Sequence, residues 1–196
     1  RRWSPEMENV TTMSEDKLPA LHESYEAVGT LKAEIADMVG LNDVKVIAGA
    51  GDNAAAAVGT GVVGEGGCNI SLGTSGTLFV SSRTYHEDKV NALHSFCHAD
   101  GGWHLMGCIL SAAGCNSWWV NGILQSDDYK KEEAGLEDKM GKNDVFFLPY
   151  LMGERSPHND VTARGAFIGM RPDTTRGEMT LAMLEGVAFA LRDCLE

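Results

Sequence analysis

Apolar residues recur along the chain at two spacings, and the switches between them mark out its elements. Ser4-Pro5-Glu6 opens a helix, with a hydroxyl at the cap and proline at the first helical position, where a missing N–H costs nothing. LKAEIADMVG predicts a second helix that stops on Gly40, since glycine takes the left-handed conformation common behind a helix. VKVIA, residues 44–48, is a short continuous apolar run of the buried-strand type, and the alanines from Asn53 favour helix as far as Gly59. CNISL and TLFVSS read as two strands joined by GTSG, a hairpin pattern. WHLMGCIL predicts another strand, SAAGCNSWWVNGIL a helix beginning at Ser111, and DVFFLPYL and RGAFIGM two further strands. Over 176–196 the apolar residues Met179, Met183, Leu184, Val187, Leu191 and Cys194 keep a helical period. The charged stretch QSDDYKKEEAGLEDKMGKND reads as a solvated surface helix or loop. Strands and helices mixed in this order, without internal repeats, predict an α/β architecture. The composition shift at TGVVGEGG, residues 60–67, marks the domain boundary and a candidate hinge.

Composition narrows the function classes. A chain of 196 residues, 43% hydrophobic and 22% charged, is an ordinary globular protein of one or two domains. Its 16 basic against 28 acidic residues give a formal charge of −12, the wrong sign for a phosphate backbone or an anionic bilayer, so neither nucleic acid nor membrane is the expected partner. No apolar run reaches the roughly 18 residues that span a bilayer, and no apolar leader segment is present. The five cysteines form an odd set without a CxxC pair, which points away from a disulfide framework or zinc ribbon and toward a reducing cytoplasm. His94-Ser95-Phe96-Cys97-His98 offers three metal-ligating side chains without a fourth, so a packed, hydrogen-bonded histidine pair is the preferred reading.

Two stretches carry candidate chemistry. In AGAGDNAAAAVG, residues 48–59, Asp52 and Asn53 sit between a glycine run and an alanine helix. Aspartate before such a helix is a good N-cap, and a strand, a glycine run and a helix N-terminus in succession also place it where α/β proteins bind ligands. In GTSG, residues 73–76, small residues let the backbone approach a ligand, and the N–H groups with the Thr74 and Ser75 hydroxyls suit phosphate oxygens; the same four residues also make a plain hairpin turn. Neither a GxxxxGK[ST] nor a GxGxxG motif is present. In GERSPHND, Arg155 and His158 are polar residues in a proline-kinked segment, read as locking the loop between two strands.

Taken together, GAGDNAAAAVGTG, NISLGTSGTLFVS, HSFCHADGGWHLMG, SAAGCNSWW, FLPYLMGERSPHND and ARGAFIGM resemble, in order and spacing, the motifs of the FGGY carbohydrate kinases. HSFCHA and the Asp52-Asn53 pair are most similar to the xylulokinase branch, which phosphorylates D-xylulose on O5 with ATP. The resemblance implies the actin/hexokinase-like ATPase fold, with its ribonuclease H-like motif, in which two related domains close on a cleft. Residues 1–65 would be the C-terminal part of the first, sugar-binding domain, and residues 66–196 the N-terminal part of the second, nucleotide-binding domain. It implies Asp52 as the general base, with Asn53 beside it on the sugar, and Gly73, Thr74, Ser75 and Gly76 as a phosphate loop. Ala113, Gly114 and Ser117 fall where relatives approach the nucleotide. ATP and Mg²⁺ are the implied cofactors, a small sugar the partner, and a homodimer is compatible with the family.

Without an initiator methionine, and with no cap behind the last helical run, the sequence reads as an internal segment. It lacks the family's DxGT-type first phosphate loop and the glycine-rich motif that closes the adenine pocket, so the segment alone is expected to be inactive. Other acceptors of the same family (glycerol, ribulose, gluconate) and a non-catalytic actin-like nucleotide switch are the competing readings.

Overall fold

A computed structural model describes residues 2–196. The chain divides into two compact units, one formed by residues up to Gly59 with Ala99–Gly101, the other by Thr60–His98 and Gly102–Glu196.

The first unit follows the sequence pattern in its helices, but the VKVIA strand, expected to be of the buried type, is exposed over Lys45–Ile47. Ser4 caps α1 (Pro5–Thr11), its hydroxyl accepting the Met7 N–H. Strand β1 (Ala27–Thr30), which the apolar pattern did not reveal, pairs antiparallel with β2 (Lys45–Ile47). Between them lies α2 (Ala33–Val39), closed by Gly40 at φ 68°. After β2 the chain turns through Gly49, at φ 81°, into α3 (Asp52–Gly59), which buries Ala54 and Ala57.

The second unit is built on a four-stranded antiparallel sheet in the order β3 (Cys68–Leu72), β4 (Gly76–Ser82), β6 (Trp103–Ile109), β5 (His94–Cys97). The two central strands carry the buried residues Leu78, Phe79, Met106, Cys108 and Ile109. The linker, residues 60–67, is fastened to this unit. Gly66 and Ser81 bond through N–H and carbonyl, the Glu65 carboxylate accepts the Arg83 N–H, and His98 Nε2 lies 3.0 Å from the Val62 carbonyl.

After β6 the chain enters α4 (Ala113–Ser117), two residues later than Ser111, because Ala112 takes φ −114° and ψ −100°, outside the helical region. The predicted helix then widens into a π-helical turn over Trp118–Ile123, burying Trp119 and Val120. The charged stretch holds only the short α5 (Tyr129–Glu133) and a 3₁₀ turn, with Glu132 of α5 paired to Arg176. A two-stranded sheet, β7 (Phe146–Leu148) with β8 (Ala166–Ile168), precedes α6 (Arg176–Asp193).

Helix α6 organises the core. Thr175 and Glu178 form a reciprocal capping box at its start. Its Ala182 and Met183 join Cys115, Trp119, Val120, Val145 and Phe147 in one apolar cluster, and its Ala190 and Leu191 join Leu78, Ile109, Ala112 and Cys194 in another. A Cβ at Gly186 would overlap the Phe147 carbonyl, so glycine at this helix-interior position lets α6 lie directly on the β7 backbone. Among the described residues no helix is long and apolar enough to cross a membrane.

Candidate active site

Asp52 lies at the start of α3 and is exposed. The first helical bond of α3 runs from the Ala55 N–H to the Gly51 carbonyl, 2.9 Å, so Gly51 holds the cap position and Asp52 lies one residue inside the helix. This corrects the expectation that Asp52 is the N-cap. Its Oδ1 instead accepts the Asn53 N–H at 2.7 Å, with the Asn53 side-chain amide 3.4 Å away. The carboxylate is therefore held by its neighbour at the positive end of a helix, with Asn53 half-buried beside it.

In the second unit, GTSG links β3 to β4 and is clamped by the segment that enters α4. The Thr74 carbonyl accepts N–H bonds from Ala112 (2.9 Å) and Gly114 (3.2 Å), and the Gly73 carbonyl accepts one from Ala113 (2.9 Å). The Gly73 N–H closes the turn on the Ser75 carbonyl. These bonds engage Ala113 and Gly114 as holders of the loop, their amides spent on its carbonyls. The Ser75 hydroxyl, expected to suit phosphate oxygens, donates to the Leu110 carbonyl at 3.1 Å. Thr74 is exposed, whereas the Ser117 hydroxyl is 3.3 Å from Tyr129 and accepts from the Asn121 side chain.

The glycines of the loop differ. A Cβ at Gly73 would meet only the Ser75 carbonyl, at 3.6 Å, an ordinary contact. At Gly76 it would press on Ile109 at 2.9 Å and Ala112 at 3.0 Å, and at Gly114 on the Thr74 carbonyl at 2.9 Å. Gly76 and Gly114 are thus required by packing, while Gly73 keeps an open face.

Behind the loop lies Glu154, which no local sequence pattern distinguished from Arg155. It is 2% exposed, and its Oε1 accepts the N–H groups of Leu110 (2.9 Å) and Arg155 (2.7 Å), while Oε2 is buried without a hydrogen-bond partner. Burial pushes the carboxyl above the usual glutamate range, against the pull of those two N–H groups. Burial, with Glu154 close by, pushes the Cys115 and Cys194 thiols up to about 12, so both stay protonated and inert near neutrality.

The GERSPHND segment has the locking contacts expected of it. Glu154 N–H bonds to Asp160, Ser156 N–H to the Cys108 carbonyl and Ser156 hydroxyl to the Ala92 carbonyl. Arg155 Nε donates to His94 Nε2, and His158 Nε2 lies 2.9 Å from the Tyr150 hydroxyl. The neighbouring histidines are likewise engaged in packing: His98, directly after β5, and His104, on β6, are buried around Phe79, with His104 stacked on it at 4.0 Å.

A family profile described as the C-terminal domain of the FGGY family of carbohydrate kinases matches residues 68–196, and the corresponding N-terminal domain profile matches residues 1–59. The chain belongs to the FGGY family of carbohydrate kinases. It is 42% identical to the xylulose kinase of Escherichia coli K12 over all of its own length and 41% of that protein's. With the xylulose kinase of Bacillus subtilis it shares 33% identity over the whole chain and 40% of the relative. Among solved structures, a xyloylose kinase from Brucella ovis superposes with a TM-score of 0.91 at 44% identity, covering 98% of this chain and 40% of that one. A gluconate kinase from Lactobacillus acidophilus superposes with a TM-score of 0.83 at 25% identity, covering 97% and 39%. The chain thus spans about two fifths of the length of these relatives. The fold is that of the actin/hexokinase-like sugar kinases, as the sequence implied.

Proposed function

We propose that the full protein is an ATP-dependent kinase that transfers the γ-phosphate to the O5 hydroxyl of D-xylulose, giving D-xylulose 5-phosphate. The domain division runs near residues 65 and 66. The observation that carries the reading is similarity to xylulose kinases along the whole of the chain, at 42% identity in the E. coli case. The geometry of each unit agrees with it.

Asp52 takes the proton of the attacking hydroxyl as the phosphoryl group leaves ATP. An exposed carboxylate oriented by Asn53 suits that late proton transfer, because the loose transition state makes small demands on basicity. Asn53 hydrogen-bonds the sugar. The GTSG loop lies along the terminal phosphates with Gly73 and Thr74 foremost. Its carbonyl oxygens, which would repel phosphate, are turned onto the amides of Ala112, Ala113 and Gly114, and the open side of Gly73 allows close approach. Mg²⁺ bound with ATP would neutralise charge on the transferring phosphoryl group. The loop itself offers no carboxylate, and among the described residues no cluster of three His, Cys, Asp or Glu gathers.

A coupled assay of the full protein against D-xylulose, ribulose, gluconate and glycerol tests the reading. Highest kcat/KM on D-xylulose is expected. Preference for another acceptor would reassign the substrate, and ATP hydrolysis without sugar phosphorylation would replace the kinase with a nucleotide switch.

A further inference from the structure

The buried Glu154 carboxylate has no place in the reaction as proposed, yet it sits at the head of a hydrogen-bond relay that ends in the phosphate loop. Its Oε1 accepts the Leu110 N–H, and the carbonyl of the same residue accepts the Ser75 hydroxyl. Leu110 follows β6 directly and precedes Ala112, whose N–H holds the Thr74 carbonyl. Ordinary strand pairing does not tie down this exit from β6, because the β4 partner of Ile109 is Gly76, the first residue of that strand. Glu154 is itself fixed from outside the relay, by its backbone bond to Asp160 and by Ser156, which bonds to Cys108 and Ala92. A carboxylate that is 2% exposed and leaves one oxygen without a partner is costly to bury, and packing alone would be served better by an apolar side chain.

We propose that Glu154 is a positioning residue for nucleotide binding: through Leu110 and Ser75 it fixes the GTSG loop in the shape that receives the terminal phosphates of ATP. The inference rests on the reading of GTSG as a phosphate loop. It assigns Glu154 no contact with substrate.

The test uses the full protein and compares E154A, E154Q, S75A and G73V by ATP affinity in calorimetry, by KM for ATP and for D-xylulose, and by amide hydrogen exchange at residues 73–76 and 110–112. E154A leaves the Leu110 and Arg155 N–H groups without their acceptor and should weaken ATP binding about tenfold or more, with the sugar KM changed less than about threefold. E154Q keeps an oxygen for both N–H groups and should recover most of the loss. S75A cuts the relay one step later without touching the buried carboxylate, and should show the same ATP-selective effect, so the proposal remains testable where E154A does not fold. Wild-type ATP affinity in folded E154A or in S75A overturns the proposal, as does an equal rise in both KM values or an E154Q no better than E154A. G73V separates the two claims. If it leaves ATP affinity unchanged, the phosphate-loop reading fails, and hydrogen exchange alone decides the relay: faster exchange at residues 73–76 in E154A supports it, and unchanged exchange overturns it.

Discussion

The two glycines that bracket GTSG should fail for different reasons when substituted, and the difference can be worked from their surroundings. At Gly76, a buried residue, an added methyl group would sit 2.9 Å from Ile109 Cγ1, 3.0 Å from Ala112 Cβ and 3.1 Å from Ile109 Cδ1, with Ile109 and Ala112 themselves 0% and 1% exposed. Neither neighbour has free space to move into, so Gly76→Ala should cost the roughly 1–3 kcal/mol typical of overpacking, a fall in Tm of about 3–10 °C for a unit of this size. At Gly73, which is exposed and not at positive φ, the nearest atom to a new Cβ is the Ser75 carbonyl at 3.6 Å. Gly73→Val should therefore leave stability within about 1 kcal/mol of wild type while filling the face that phosphate would approach, raising the KM for ATP about tenfold or more and that for D-xylulose little. Differential scanning calorimetry and steady-state kinetics on the two variants check both halves. A Gly73→Val protein as unstable as Gly76→Ala, or one with an unchanged KM for ATP, would show that GTSG is a hairpin turn and nothing more.

Asp52→Asn should lower kcat of the full protein by about 10²–10⁴-fold with ATP affinity and Tm nearly unchanged, since asparagine is tolerated at a helix N-terminus; near-normal turnover removes Asp52 as the base. Two buried groups predict opposite pH slopes of stability. Burial, and then His98, push His104 down to about 4 from the ordinary 6.5, so the unfolded chain binds the extra proton and stability falls as pH drops from 6.5 toward 4, by on the order of 2–3 kcal/mol, a loss that His104→Phe should abolish in Tm measured against pH. Glu154 is raised, so its folded form holds a proton longer than the unfolded chain does; stability from this group is present below the ordinary 4.5 and is lost as pH rises through its folded value, and Glu154→Gln should flatten that slope. Finally, residues 1–196 alone should give no measurable D-xylulose 5-phosphate with Mg-ATP, because positioning and charge neutralisation supply most of the rate and, of the groups proposed for it, this stretch carries GTSG and Asp52; robust product formation refutes that division of labour.

Much of the fold was legible because local chemistry and tertiary structure agree. Pro5 behind Ser4, Gly40 behind α2 and the apolar runs on either side of the GTSG turn each have a local reason that needs no distant partner. The elements that are not legible in the sequence depend on distant partners. Strand β1 is only Ala27–Thr30, exposed throughout, and exists through its pairing with β2. Strand β5 is hidden in the sequence because His94, Cys97 and His98 also suit a metal site, whereas His94–Cys97 form an edge strand paired to β6. The π-helical turn keeps an apolar pattern that reads as ordinary helix, and only the buried placement of Trp119, with its indole N–H on Thr180, calls for the extra residue.

The site divides along the same line. Asp52, Asn53 and the GTSG residues could be singled out because a charged residue beside a glycine run, or four small residues between strands, is unusual for a core or a surface. The groups that hold them could not, since an ordinary residue acquires such a role only through distance. Gly51 displaces Asp52 from the cap, Leu110 offers its two backbone groups to Glu154 and Ser75, and the amides of Ala112–Gly114 turn the loop carbonyls aside. Each of these frees or orients a group that the sequence had already named. Asp52 is spared capping and left exposed, and Gly73 is left as the one glycine of its loop whose open side the packing does not use. A glycine required by packing shows crowding, as Gly76 and Gly114 do, and one required by a left-handed turn shows positive φ, as Gly49 does; Gly73 shows neither, and in that it resembles Gly29, Gly51 and Gly59. What sets Gly73 apart is its place beside Thr74 in the loop whose carbonyls are held by Ala112, Ala113 and Gly114, so the effect of Gly73→Val on ATP affinity decides whether a ligand requires glycine there.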